Sequence, residues 1–184
     1  MKTLLVYYSY TGQTKLIADK IKEKLNCDVI ELKPLIPFSN NYREVVDEYQ
    51  NNESDKKSVE IEEINTNIEE YDKIIIGIPV WWYSITPVLR KFLNKYDLTN
   101  KKIYPFATNA GWLGRTLKEI ENTCNGDIQT NLNIKFSEDY NEKKCLTQES
   151  VIYEWISNIK NSWCFIRRTS IYTWKRMIIR FLVI

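Results

Sequence analysis

The chain of 184 residues contains no histidine. That absence excludes a Ser-His-Asp triad, a Cys-His pair and every His-ligated metal site. The four cysteines, Cys27, Cys124, Cys145 and Cys164, are scattered, with no C-x-x-C spacing. Free, partly buried thiols are therefore expected, and neither a disulfide framework nor a metal site. No apolar run approaches the ~20 residues that a membrane-crossing helix needs. The N-terminus, Met1-Lys2 followed by a short strand pattern, lacks the apolar core and small-residue cleavage site of a secretion signal. A cytoplasmic protein is expected. The charge is uneven: residues 160–184 hold six of the 26 basic residues and no Asp or Glu. The rest, with 20 basic against 24 acidic residues, is mildly acidic and has no basic nucleic-acid footprint.

Against these absences stands one hydroxyl-rich turn, Ser9-Tyr10-Thr11-Gly12-Gln13-Thr14. It follows the apolar run Leu4-Leu5-Val6-Tyr7-Tyr8 and precedes a helical pattern over residues 15–25. A helix start has unpaired N–H groups and the positive end of the helix dipole, so strand, turn and helix together make an anion pocket. Ser9, Thr11 and Thr14 add hydroxyls and Gln13 an amide. No Lys or Arg lies inside the turn, so its donors are neutral, which suits the phosphate of a held cofactor better than a phosphate being transferred. One glycine is too few for a Walker A loop or for G-x-G-x-x-G. An ordinary Ser/Thr helix cap accounts for the same residues.

Apolar runs and amphipathic stretches alternate along the chain. Residues 28–32 alternate as a second strand. Tyr42, Val45, Val46 and Tyr49 form a helical stripe within a long excursion over residues 33–70. Ile74-Ile75-Ile76-Gly77-Ile78-Pro79-Val80 is apolar on both faces, as a central parallel strand must be. Pro87 opens a helix with Val88, Leu89, Phe92 and Leu93 inward. Residues 101–107 read as a fourth strand despite Pro105, and residues 132–136 as a short fifth. Between them lies a helix over 114–124, and a last helix covers 148–159 with Val151, Ile152, Trp155 and Ile159 on one stripe. This order predicts an α/β fold, a doubly wound open parallel five-stranded sheet with helices on both faces. Ligands of such sheets bind at the carboxyl ends of the strands.

Two further loops sit at those ends. Pro79-Val80-Trp81-Trp82-Tyr83 sets three large aromatics after the most apolar strand. Packing under the next helix accounts for at least one of them, and a planar heteroaromatic ligand accounts for the others. Thr108-Asn109-Ala110-Gly111-Trp112 follows the fourth strand, and its small residues let a backbone approach a ligand closely.

Three loops in this order resemble the flavodoxin family, in particular short bacterial members with a P-x-W-W loop. The resemblance rests on residues 8–15, Tyr71-Asp72, Gly77-Ile78-Pro79-Val80-Trp81-Trp82, Pro87 and residues 106–111, and it spans residues 1 to about 160. It implies a flavodoxin-like fold with FMN as cofactor. Ser9, Tyr10, Thr11, Gly12, Gln13 and Thr14 would surround the phosphate. Pro79, Val80, Trp81, Trp82, Tyr83, Thr108, Asn109, Ala110, Gly111 and Trp112 would surround the ring. It implies electron transfer with redox partner proteins or small electron acceptors, without a catalytic side chain, a metal or nucleic acid. The alternative readings are an NAD(P)H-dependent FMN or quinone reductase and a cofactor-less binding module.

The fold that this resemblance implies is complete near residue 160, which leaves residues 161–184 as a basic, apolar tail without Gly or Pro. It reads as a segment on an anionic membrane surface, as an element packed on the domain, or as an aberrant or loosely packed extension. The last is favoured over membrane contact. A chain ending at Lys160 is expected to fold and to bind FMN with near-normal affinity.

Overall fold

A computed structural model describes residues 1–51, 59–139 and 142–162, with the side chains of 48–51 left aside. The chain divides into two compact units, residues 1–148 and 149–184. The first unit is built on one parallel sheet. Its strands are β1 (Thr3–Tyr7), β2 (Asp28–Glu31), β3 (Lys73–Pro79), β4 (Lys102–Asn109), β5 (Asp127–Ile128) and β6 (Leu132–Lys135). The order is β2-β1-β3-β4-β5, with β6 also paired to β4. The helices of this unit are α1 (Gln13–Leu25), α2 (Tyr42–Asn51), α3 (Pro87–Lys95) and α4 (Thr116–Thr123).

The expected fifth strand is thus two pieces on one edge of β4. The other edge of β4 is taken by β3 along its length, from Lys73↔Lys102 to Pro79↔Thr108. β5 pairs only with Lys102 and Ile103, and β6 only from Phe106 to Asn109. The break falls at Tyr104 and Pro105. Ile103 O accepts from Gln129 N and Asn109 O from Phe136 N, so the odd-numbered groups of β4 face this outer edge. The N–H that Pro105 lacks would have faced the break, and so the proline is tolerated inside a strand.

The core follows from the apolar runs. Leu4 and Val6 of β1 and Ile74, Ile76 and Ile78 of β3 share one buried cluster with Val88, Leu89 and Phe92 of α3. α3 starts as its sequence dictates: Thr86 Oγ1 accepts from Leu89 N at 3.2 Å, and Pro87 occupies the first turn. In α1 the buried face is Gln13, Thr14, Ile17, Ala18 and Ile21, while Leu16 is 43% exposed. The excursion over residues 33–70 is tied at its base by the antiparallel bridge Pro34↔Ile61. Its helix α2 buries Val45 and leaves Tyr42 exposed, a correction to the predicted stripe; the side chain of Tyr49 lies outside the described residues.

Chain reversal places the functional loops. From β1 the chain moves outward to β2, and from β3 it moves the opposite way to β4. Right-handed crossovers then send the connecting helices to opposite faces, and a crevice opens at the carboxyl ends of β1 and β3.

In the second unit the described residues form α5 (Glu149–Asn161) and Ser162. Ile152, Trp155, Ile156 and Ile159 are buried, whereas Val151, expected on the same stripe, is exposed. The tail expectation lies, from residue 163 onward, outside the described residues, as does Cys164. Among the described residues no helix is long and apolar enough to cross a membrane.

Candidate functional site

The three loops meet at the crevice and enclose a cleft of about 550 Å³. Thirteen of the sixteen residues singled out in the sequence line it: Tyr10, Thr11, Gln13, Pro79, Val80, Trp81, Trp82, Tyr83, Thr108, Asn109, Ala110, Gly111 and Trp112. Ser9, Gly12 and Thr14 do not. Their polar groups serve the loop itself. Ser9 Oγ accepts from Lys15 N at 3.2 Å, and the hydroxyls of Thr14 and Thr108 bond each other at 2.7 Å in the core. Thr14 therefore ties the first loop to the end of β4.

The start of α1 keeps several donors without acceptors. Gly12, at φ +89°, precedes the first helical residue and brings no side-chain cap. Lys15 N is satisfied by Ser9, but no described residue accepts from the backbone N–H of Gln13 or Thr14. Gln13 is 94% buried, judged by its 6% exposure, lines the cleft, and its Nε2 has no partner. A buried amide donor without an acceptor costs roughly 1–3 kcal/mol. An acceptor brought by a ligand removes that cost.

The aromatic residues have distinct jobs. Trp81 is a buried pillar: its ring lies 4.7 Å from Phe38 in an edge-on contact, and 6.1, 5.8 and 5.8 Å from Tyr8, Tyr10 and Trp82. Trp112 is 71% exposed and meets Tyr83, from the neighbouring loop, at 5.1 Å. Trp82 is half-buried between these extremes. The cleft thus has an apolar floor and an aromatic rim, with the polar backbone of 108–111 on another side.

This combination of parallel sheet, unsatisfied donors at a helix start and aromatic cleft coincides with a family match. The family model for flavodoxin matches residues 2–159. The chain belongs to the flavodoxin family. Its fold is similar to that of a Bacteroides uniformis protein classed with the flavoproteins, with TM-score 0.68 and 21% identity over 85% of this chain and 97% of that one. A similarly classed Bacteroides eggerthii protein gives TM-score 0.63 and 26% identity over 86% and 98%. A Lactobacillus acidophilus flavoprotein, whose structure is a complex with FMN, gives 0.60 and 24% over 72% and 92%. No curated protein sequence matches the chain.

Several contributors escaped sequence reading. Tyr42 and Val46 of α2 line the cleft, so the excursion over 33–70 contributes to the site; their i, i+4 spacing was visible, but not what they would face. Tyr10 Oη donates to Ser39 O at 2.5 Å and fastens that excursion to the first loop. Glu138, also on the lining, gave no sequence signal.

Glu119 on α4 is a positioning residue for the aromatic loop. Its carboxylate accepts from Ser84 Oγ and from Ile85 N at 3.3 Å, and pairs with Arg90 Nη2 at 2.6 Å. Burial raises its pKa, but the bonds from Ser84, Arg90 and Ile85 outweigh that and leave it below the ordinary value of about 4.5. Because the folded pKa is depressed, the stabilisation is present above the ordinary value and fades as pH falls through the folded one. Glu119→Gln is expected to lower stability at pH 7 and to flatten the loss between pH 5 and 3, as read by urea unfolding. An unchanged acid profile would remove Glu119 from this role.

Proposed function

We propose that this flavodoxin-family chain holds FMN in the cleft and carries electrons between redox partner proteins or small electron acceptors. The observation that carries the reading is Gln13: a buried, unpartnered amide donor at an anion-accepting helix start, opening onto an aromatic cleft. The residues fit both ends of FMN. Thr11, Gln13 and the free N–H groups at the start of α1 suit the phosphate. Trp82, Tyr83 and Trp112 suit the ring by stacking or edge contact, and the backbone of 108–111 suits its polar rim. The neighbour crystallised with FMN shares the fold and so supports the same assignment.

When bound, the flavin ring supplies the redox chemistry. The chain binds, orients and shields it. Val46, Val80 and Trp81 exclude water from the inner side of the cleft. Glu138, with this apolar lining, disfavours added negative charge in the cleft and so lowers the reduction potential. No acid–base side chain is required, which accords with a chain lacking histidine. We place the protein in the cytoplasm. Cys27 and Cys124 are free thiols, and burial pushes the Cys27 thiol up to about 11.

The purified protein is expected to be yellow, with one FMN per chain, to quench flavin fluorescence on binding, and to oxidise neither NADH nor NADPH at an appreciable rate. Rapid NAD(P)H oxidation by the holoprotein would favour a reductase instead. A colourless protein that takes up no added FMN would overturn the reading.

A further inference from the structure

We infer that Lys143 is a specificity-determining residue, a cation from outside the phosphate turn that selects FMN over uncharged riboflavin. This rests on the FMN reading above. The turn itself has only neutral donors, as its sequence requires. The fold adds a charge from 131 positions beyond Gly12. A Cβ built on Gly12 would lie 3.0 Å from Lys143 Nζ and 3.6 Å from its Cε. The ammonium is thus set against the residue that precedes α1, the helix that opens with Gln13. Two independent features, the orphan buried donor of Gln13 and the cation on Gly12, belong to the same helix start.

The position of Lys143 is held. It follows β6 in a loop whose ends are closed by the bridge Phe136↔Cys145 and by Ser137 N donating to Lys144 O at 2.8 Å. Its own backbone lies at φ +46°, a region that non-glycine residues seldom occupy and that persists where the surroundings fix it. The carboxylates nearby are otherwise disposed: Glu142 pairs with Lys144 at 3.9 Å, and Glu138 lines the cleft. No described carboxylate pairs with Lys143. A long side chain resting on Gly12 without an acid to hold it there is explained by an anion at the start of α1 in the loaded protein. Gly12 also leaves the room: a side chain there would displace the ammonium.

The phosphate of FMN carries close to two negative charges at neutral pH, and neutral hydrogen bonds do not cancel them. One ammonium at the loop does so in part, and only for the phosphorylated flavin. The arrangement therefore discriminates by charge, and its contribution is screened by salt because Lys143 is exposed.

The test compares FMN and riboflavin dissociation constants of the full chain and of Lys143→Met and Lys143→Arg, by quenching of flavin fluorescence at low and at high ionic strength. Lys143→Met is expected to weaken FMN about 10-fold at low salt and riboflavin hardly at all, and to lose most of the salt dependence of FMN binding. Lys143→Arg is expected to restore it. Equal losses for both flavins, or none, would overturn the role of Lys143 while leaving the FMN reading in place. Failure of the unmodified chain to bind FMN would overturn both.

Discussion

Gln13→Met is expected to make the cofactor-free protein more stable and the FMN complex weaker. Most substitutions in a binding site lower both quantities, so the opposed signs are diagnostic. Gln13 Nε2 is buried without a partner in the protein itself. Methionine keeps the length and apolar contacts and deletes the donor, which relieves roughly 1–2 kcal/mol in the unloaded state. A hydrogen bond to a charged acceptor contributes roughly 1.5–3 kcal/mol, so FMN affinity should fall about 10- to 100-fold. Riboflavin, lacking the phosphate, should bind the unmodified protein at least about 100-fold more weakly than FMN and should scarcely respond to the substitution. Urea unfolding of the unloaded protein and flavin titrations measure the two halves separately. A less stable unloaded variant, or equal loss for both flavins, would show that the Gln13 amide serves packing.

The discrimination is shared between residues of different legibility. Thr11 and Gln13 stood out because a hydroxyl-rich turn between strand and helix is a local pattern. Thr14 stood out for the same reason, yet its hydroxyl is spent on Thr108, a partner 94 residues away that no local pattern names. Lys143 carried no signal, since its role depends on where the loop after β6 comes to rest. The sheet was legible because buried parallel strands must be apolar on both faces, as the isoleucine run of β3 shows. The divided edge strand was not: a two-residue β5 carries no periodicity, and Pro105 marks the break only once the facing of β4 is known. Local chemistry can be read from the sequence. Pairings fixed by tertiary distance have to be seen.

The aromatic loop shows how such a distant pairing supports function. Trp81 and Ser84 exchange both backbone bonds, Trp81 N to Ser84 O at 3.1 Å and Ser84 N to Trp81 O at 2.9 Å, around Trp82 at φ +46° and Tyr83 at φ +61°. Two central residues at positive φ characterise a hairpin turn that Asn-Gly fills readily and bulky aromatics do not. The turn is held from the next loop: Tyr83 O accepts from Arg115 N at 2.9 Å, and Thr116 Oγ1 donates to Ser84 O at 3.1 Å. Between them Gly114, at φ +59°, leaves no space for a side chain, since its Cβ would lie 2.3 Å from Tyr83 Cβ and 2.5 Å from Tyr83 O.

Gly114→Ala is therefore expected to destabilise the protein by roughly 2–4 kcal/mol, combining strain at positive φ with an overlap that only backbone movement relieves. It should weaken FMN as well, because the turn that presents Trp82 and Tyr83 is displaced. Tyr83→Gly separates the two effects. Tyr83 is half exposed, so its removal costs little burial, and glycine suits φ +61°. Alone, it should leave the unloaded protein at least as stable as the unmodified chain while weakening FMN about 10-fold. Combined with Gly114→Ala, it should recover part of the lost stability, because the Cβ on the other side of the overlap is gone, but none of the affinity. Urea unfolding and flavin titration of the four proteins complete the cycle. Strict additivity in stability would mean that the two loops do not press on each other. Unchanged FMN affinity in Tyr83→Gly would mean that the strained turn serves packing of the loop, and that the aromatic rim is not what the flavin meets.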